Sequence, residues 1–329
     1  MMGENMKTIK INYVDFWPNF KLEEDFIYEL LMNSPDYEVE ISDNPDYIVY
    51  SCFGYEHLKY DCIRIFFTGE ELCPDFNICD YGIGFEYLSL DDRYFRLPLM
   101  YIPRYRKDYN LMMERLYCGQ ETREFCSFVY SNPKANPIRI DFFTELSKYK
   151  QIASGGKVLN NIGTLVQDKQ KFEAKYKFSI AFENVRHRGY ITEKLMQSFS
   201  AGGVPIYWGD PYVNRMFNSR AYINISDFKS TEDAIEYIKQ IDQDDEAYKA
   251  MLQEAPLNDS YNLENVRRQF EIYLRNIFDQ DLKEARRTTR EMFNKRYVDG
   301  TRSKEKIYQM TAPIRKITCC VKTVCKTDK

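Results

Sequence analysis

At about 100–200 residues per domain, the 329 residues allow two domains, and 44% apolar content is enough for real cores. The net charge of −4 argues against nucleic acid as a partner held by bulk positive charge. There is no charged-then-apolar leader and no run near the ~18 apolar residues of a membrane span, so cytosolic retention is expected. The nine cysteines (Cys52, Cys62, Cys73, Cys79, Cys118, Cys126, Cys319, Cys320 and Cys325) form no CxxC pair, and histidine occurs only at His57 and His187. Zinc spacing is missing, so reduced thiols and no metal site are expected. The 27 tyrosines and 22 phenylalanines read mostly as core-edge residues, although such side chains also suit sugar stacking.

In chain order, Thr8 to Val14 alternates like a strand, and Leu22 to Met32 has helical spacing. Strand patterns follow at Tyr37 to Ile41, Tyr47 to Tyr50, Cys62 to Phe67 and Asp80 to Phe85. The Gly82-Ile83-Gly84 in the last of these is no dinucleotide fingerprint, because Tyr87 stands where a third glycine is needed. Residues 99–122 are polar and poorly periodic, so they read as a linker with acceptor-side loops. A second series opens with a strand at Phe125 to Tyr130 and a helix from Pro137 through Leu146. A short charged helix is expected at Asp168 to Tyr176, a strand at Ala221 to Ile225 and a helix at Thr231 to Ile241. Residues 244–298 read as nearly all helical. Strands alternating with helices imply parallel α/β sheets.

The most informative stretch runs from Phe178 to Pro211. A buried strand, Phe178 to Phe182, leads into a polar loop with Arg186, His187, Arg188 and Gly189. Thr192 opens a helix with Leu195, Met196 and Phe199 on one face, and Val204 to Trp208 is a second buried strand. Ligands in open α/β sheets sit beyond the carboxyl ends of strands, and a helix N-terminus near cations attracts an anion such as phosphate.

The strings Phe182-Glu183-Asn184, Gly189 to Lys194 (G-Y-I-T-E-K) and Pro205 to Pro211 (P-I-Y-W-G-D-P) resemble the α-1,3-fucosyltransferases of glycosyltransferase family ten, with the bacterial members closest in layout. Thr68-Gly69-Glu70, Asp80 to Phe85, Asp92 to Pro98 and Ser131 to Arg139 are similar to family elements and fall in the family's order. The resemblance covers Thr8 to Leu263.

It implies a GT-B fold: two facing Rossmann-like domains, with an N-terminal acceptor-binding domain and linker at 1–122, a GDP-fucose domain at 123–282 and a helical basic tail at 283–329. It implies inverting transfer of fucose from GDP-fucose to O3 of N-acetylglucosamine, giving a Lewis x type product. Type I chains giving Lewis a, another nucleotide sugar, or an inactive glycan-binding protein are the alternatives. The chemistry needs a base for the acceptor hydroxyl and cations for the leaving diphosphate. The resemblance assigns Glu70 as base, Arg139 and Lys194 to the diphosphate, Glu193 to ribose hydroxyls, and Tyr190 and Asn184 to the donor pocket. Arg186 and Arg188 are expected to add positive potential, and His187 reads as a loop residue. The resemblance implies no required cofactor and allows divalent-metal stimulation, as in some members, with no site specified by the sequence.

Residues 301–329 carry eight basic and two acidic side chains, a net of +6. Ile314, Ile317, Val321 and Val324 would share a helix face, a pattern suited to an anionic membrane surface, with a disordered basic tail as the alternative. The expected location is therefore the bacterial cytoplasm, peripheral on the inner face of the membrane, with GDP-fucose and an oligosaccharide acceptor as partners.

Overall fold

The computed structural model describes residues 6–114 and 123–311. The first half holds β1 (Lys7–Val14), α1 (Phe26–Met32), β2 (Tyr37–Ile41), β3 (Tyr47–Tyr50), β4 (Ile63–Phe67), β5 (Tyr81–Gly84), β6 (Tyr94–Arg96) and α2 (Arg106–Met113). The second holds β7 (Glu124–Phe128), α3 (Ile138–Ser147), β8 (Ile152–Ser154), α4 (Lys169–Glu173), β9 (Tyr176–Phe182), α5 (Glu193–Ser200), β10 (Val204–Trp208), β11 (Ile223–Asn224), α6 (Thr231–Gln243) and α7 (Asp245–Gln253). The helices α8 (Leu263–Phe278), α9 (Leu282–Ala285) and α10 (Met292–Met310) follow.

Two parallel sheets result, ordered β2-β1-β3-β4-β5-β6 and β8-β7-β9-β10-β11. The central strands are largely apolar, as expected where helices cover both faces. All five residues of β4 and of β10 are buried. In each sheet the order reverses between the first and third strands, β1/β3 and β7/β9. At such a switch point a crevice opens outside the carboxyl ends, where doubly wound folds bind ligands.

Several local expectations change. The stretch expected as one helix from Leu22 to Met32 is a 3-10 turn, Leu22–Glu24, followed by α1. Asp25 divides them, because its carboxylate caps α1 by accepting from the Ile27 and Tyr28 amides at 2.9 Å each. The supposed loop from residue 99 contains α2, which buries Met112 in the same core cluster as Leu195 of α5. Residues 115–122 of that stretch lie outside the described residues. β6 and β8, at three residues each, are too short to show a period. The helical run at 244–298 is broken at 254–262, 279–281 and 286–291.

The larger correction concerns the 123–282 domain. Phe270, Tyr273, Leu274, Ile277 and Phe278 of α8 pack in the core of the first sheet, with Ile9, Tyr47 and Tyr81. Burying side chains of this size is worth about 1.5–3 kcal/mol each, which holds α8 to the first sheet although it follows the second in sequence. The chain then stays on the first sheet. Asp80, fully buried, accepts from the Arg64, Arg287 and Thr288 amides, from Thr288 Oγ1 and from Arg290, so it clips residues 287–290 down. Beyond the clip, α10 packs through Val298 beside Tyr50, Leu58 and Cys79. Ile314, Ile317, Val321 and Val324, the proposed membrane face, lie outside the described residues. No helix among the described residues is long and apolar enough to cross a membrane.

Candidate active site

A cavity of about 480 Å³ lies where the carboxyl ends of the two sheets converge. Trp17 and Phe53 reach it from beyond β1 and β3, and Glu70 from beyond β4. Tyr130 and Asn132 reach it from beyond β7, and Asn184 from beyond β9. Both switch points therefore open onto one space.

Arg139 is brought into this space by α3, with Pro137 at the helix cap. It is 2% exposed, and its guanidinium lies 3.9 Å over the Tyr130 ring, a favourable cation–π contact. One terminal nitrogen donates to the Phe182 carbonyl at 2.8 Å and to Asn184 Oδ1 at 3.0 Å. Its Nε and other terminal nitrogen are buried with no hydrogen-bond partner among the described residues. Burial pulls the Arg139 pKa down, yet a guanidinium stays charged. A buried, charged donor pair left open calls for an anionic acceptor.

Tyr130 holds the frame beneath Arg139. Its hydroxyl donates to the Ile180 carbonyl at 2.8 Å and accepts from the Phe182 amide at 2.7 Å. Sequence reading did not single it out; its place at the end of a buried strand, just before Ser131-Asn132-Pro133, was the available signal.

At the start of α5, Glu183 is fully buried and accepts from the Thr192 amide at 2.8 Å and from Thr192 Oγ1 at 2.7 Å. Glu183 thereby fixes the residue that opens α5, while no side chain among the described residues caps the first-turn amides of that helix. Lys194 Nζ sits 3.1 Å from Glu183, 3.5 Å from Glu193 and 2.8 Å from Thr192 Oγ1. Burial pushes the lysine pKa down, but the Glu183 and Glu193 carboxylates outweigh it and hold the ammonium charged. Burial pushes Glu193 up, and Lys194 followed by Lys169 more than reverses this, leaving it below the usual carboxylate range.

Tyr190 lines the cavity but is buried within the first sheet's core, edge-on to Phe85 at 5.1 Å. Gly189 makes this crossing possible. It takes a φ of 84°, and a Cβ there would lie 2.1 Å from the Phe85 carbonyl oxygen. Its amide donates to Asp210 at 2.9 Å. The same turn leaves Arg186 and Arg188 exposed and outside the cavity lining, so these two expected donor-site residues are not brought to the others. Arg188 instead faces the Tyr212 ring, and His187 pairs with Glu86 at 2.8 Å.

Glu70 lines the cavity from the first sheet. Its amide donates to Thr68 Oγ1 at 3.1 Å, which fixes the turn after β4. Burial raises the Glu70 pKa, Glu71 adds to the rise, and Lys194 pulls against it. A carboxylate tuned upward in a cleft is suited to taking a proton near neutral pH. Among the described residues, no group of three or more His, Cys, Asp or Glu side chains is placed to hold a metal ion.

Residues 11–103 match the family described as the alpha-(1,3)-fucosyltransferase FucT N-terminal domain, and residues 120–271 match the glycosyltransferase family 10 (fucosyltransferase) C-terminal region. The chain is 34% identical over 304 residues to the alpha-(1,3)-fucosyltransferase FucT of Helicobacter pylori, covering 78% of this chain and 62% of that protein. It is 33% identical over 125 residues to the mouse 4-galactosyl-N-acetylglucosaminide 3-alpha-L-fucosyltransferase 9, covering 37% of this chain and 34% of that protein. The fold is similar to a crystal structure of an alpha1,3-fucosyltransferase, with a TM-score of 0.74 and 29% identity over 85% of this chain and 93% of that one. It is likewise similar to an alpha1,3-fucosyltransferase structure with GDP-fucose, at a TM-score of 0.71 and 28% identity over 86% and 94% of the two chains. Two matching halves of one family, on a two-sheet GT-B fold shared with its solved members, make this chain a member of the glycosyltransferase family 10 fucosyltransferases.

Proposed function

We propose that this protein transfers L-fucose from GDP-fucose to O3 of N-acetylglucosamine in N-acetyllactosamine-type glycans, with inversion at the anomeric carbon. The observation that carries the reading is the pair of buried Arg139 nitrogens, without a partner among the described residues, at the cavity that Glu70 enters from the other sheet. One side of the cleft offers positive charge for a leaving diphosphate and the other offers a base. The solved relative that holds GDP-fucose supports the donor, and the names of the relatives support the 1,3 linkage.

In the reaction, Glu70 accepts the proton of the acceptor hydroxyl while that oxygen bonds to the fucose anomeric carbon. The bond from that carbon to the diphosphate oxygen breaks, and its electron pair leaves with GDP. Arg139 meets the growing charge through its open Nε and terminal nitrogen, and Lys194 meets it as a point charge. Asn184 orients Arg139. Glu193, held ionised, accepts from ribose hydroxyls, and Tyr190 walls the fucose end. Arg186 and Arg188 contribute only long-range potential. This reading requires no metal cofactor and is compatible with stimulation by a divalent metal. The basic stretch 301–329 rests on an anionic membrane surface at the inner face of the cytoplasmic membrane; the exposed Ile307 and Met310 at the end of α10 suit that contact.

The test is product linkage. Incubation of GDP-fucose with N-acetyllactosamine and, separately, with the type I disaccharide should give a 1,3-linked product from the first as the major outcome. A dominant 1,4-linked product from the type I chain would replace the acceptor assignment, and no transfer from GDP-fucose to either would remove the donor assignment.

A further inference from the structure

The first sheet's side of the cleft carries a feature that proton transfer and diphosphate binding leave unused. Trp17 and Phe20, in the loop after β1, and Phe53, in the loop after β3, all line the cavity. Trp17 meets Phe53 edge-on at 6.2 Å and Phe20 edge-on at 5.3 Å. Phe53 keeps 48% of its surface exposed and Trp17 is half-buried. Large aromatic faces are thus left open to water beside the base.

They are also held still. Asp15 Oδ1 accepts from the Glu56 amide and Oδ2 from the His57 amide, both at 2.9 Å, and Oδ2 lies 2.6 Å from His57 Nδ1. The two side chains of this pair are only 2% and 7% exposed. The Phe53 amide donates to the Asp15 carbonyl at 3.0 Å, and Asp15 itself takes a φ of 61°. A Cβ at Gly54 would lie 2.2 Å from Asp15 Oδ1, so the approach requires glycine. The His57 ring stacks on Tyr50 at 4.0 Å. One clip therefore fastens the Trp17 loop to the Phe53 loop, and pre-organisation of this kind lowers the ordering cost of binding.

We infer that Trp17 and Phe53 form a stacking platform for a pyranose ring of the acceptor. This rests on the fucosyl-transfer reading for the reaction served. A sugar ring presents clustered C–H groups on one face and hydroxyls at its rim. The aromatic faces match the first, and Lys21, Glu24 and Arg104, which line the same cavity, match the second. Galactose fits this pattern best, because its axial O4 clears one face and leaves the C–H groups at positions 3, 4 and 5 together. The platform takes the galactose of an N-acetyllactosamine unit while the N-acetylglucosamine hydroxyl faces Glu70.

The test combines acceptor kinetics with fluorescence. Trp17→Ala and Phe53→Ala should each raise the acceptor KM for N-acetyllactosamine about tenfold, as loss of an aromatic contact predicts, with GDP affinity unchanged. Trp17→Phe should keep most of the acceptor affinity. The only other tryptophan, Trp208, is buried in the second sheet's core, so a disaccharide-induced emission change should appear in the wild type and vanish in Trp17→Phe. An unchanged acceptor KM in both alanine variants overturns the platform. If the wild type binds GDP and transfers fucose while the disaccharide leaves its emission unmoved, the platform falls and the transfer reading stands. If GDP does not bind but the emission responds, the transfer reading falls and the platform stands.

Discussion

Glu70 shows how much of this site is set by neighbours rather than by residue type. Burial, then Glu71, then the opposing pull of Lys194 place its pKa above the ordinary value. A general base works deprotonated, so kcat/KM should climb with pH through this raised value and level off above it. Glu71 is exposed and contributes a negative charge. Glu71→Gln should therefore move the acid limb of the profile to lower pH by roughly half a unit, with little change in the plateau. A limb that stays in place, or moves upward, would separate Glu70 from the titration. Arg139 makes the complementary point. Its identity was legible from Ser131 to Arg139, but its open donors were not, because they depend on Tyr130 and Phe182 taking up the rest of its surroundings. Arg186 and Arg188 mislead for the opposite reason: they lie next to Tyr190 in sequence, and the positive φ of Gly189 turns them away from it.

At the scale of elements, strands were the most legible parts. Runs such as Tyr47 to Tyr50 and Val204 to Trp208 stand out because a strand covered on both faces reads as a near-continuous apolar run. The placement of α8 and the segment after it was hidden. Its amphipathic period shows a helix but not which sheet will take its apolar face. Asp80 is the fastener of that segment, with three backbone amides, a hydroxyl and a guanidinium all donating to it. Asp80→Ala leaves Arg290 and those amides without their buried acceptor. It should cost about 3–5 kcal/mol, the usual penalty for breaking a buried ion pair. The loss would be read as a fall in thermal midpoint with faster hydrogen exchange in α10. Normal exchange in α10, with exchange in the second sheet accelerated instead, would show that Asp80 does not hold this segment.

Across the whole molecule, function depends on convergence. Residues 17, 53 and 70 come from one sheet and residues 130, 139, 184, 193 and 194 from the other, and all meet in one cavity. The contiguous strings at 182–184 and 189–194 made the donor half readable, while the aromatic side had no contiguous code because α1, β2 and β3 lie between Trp17 and Phe53. Tyr190 adds a mechanical tie, since it belongs to the donor loop yet packs in the first sheet's core. The central claim is that the two sheets supply separate halves of one site, the base from one and the diphosphate clamp from the other. GDP affinity measured alongside turnover for Glu70→Gln and Arg139→Ala tests it most directly. Glu70→Gln should bind GDP like the wild type and lose about 10²–10⁴-fold in turnover, while Arg139→Ala should lose about tenfold or more in GDP affinity. Near-normal turnover in Glu70→Gln, or unchanged GDP affinity in Arg139→Ala, would contradict the division.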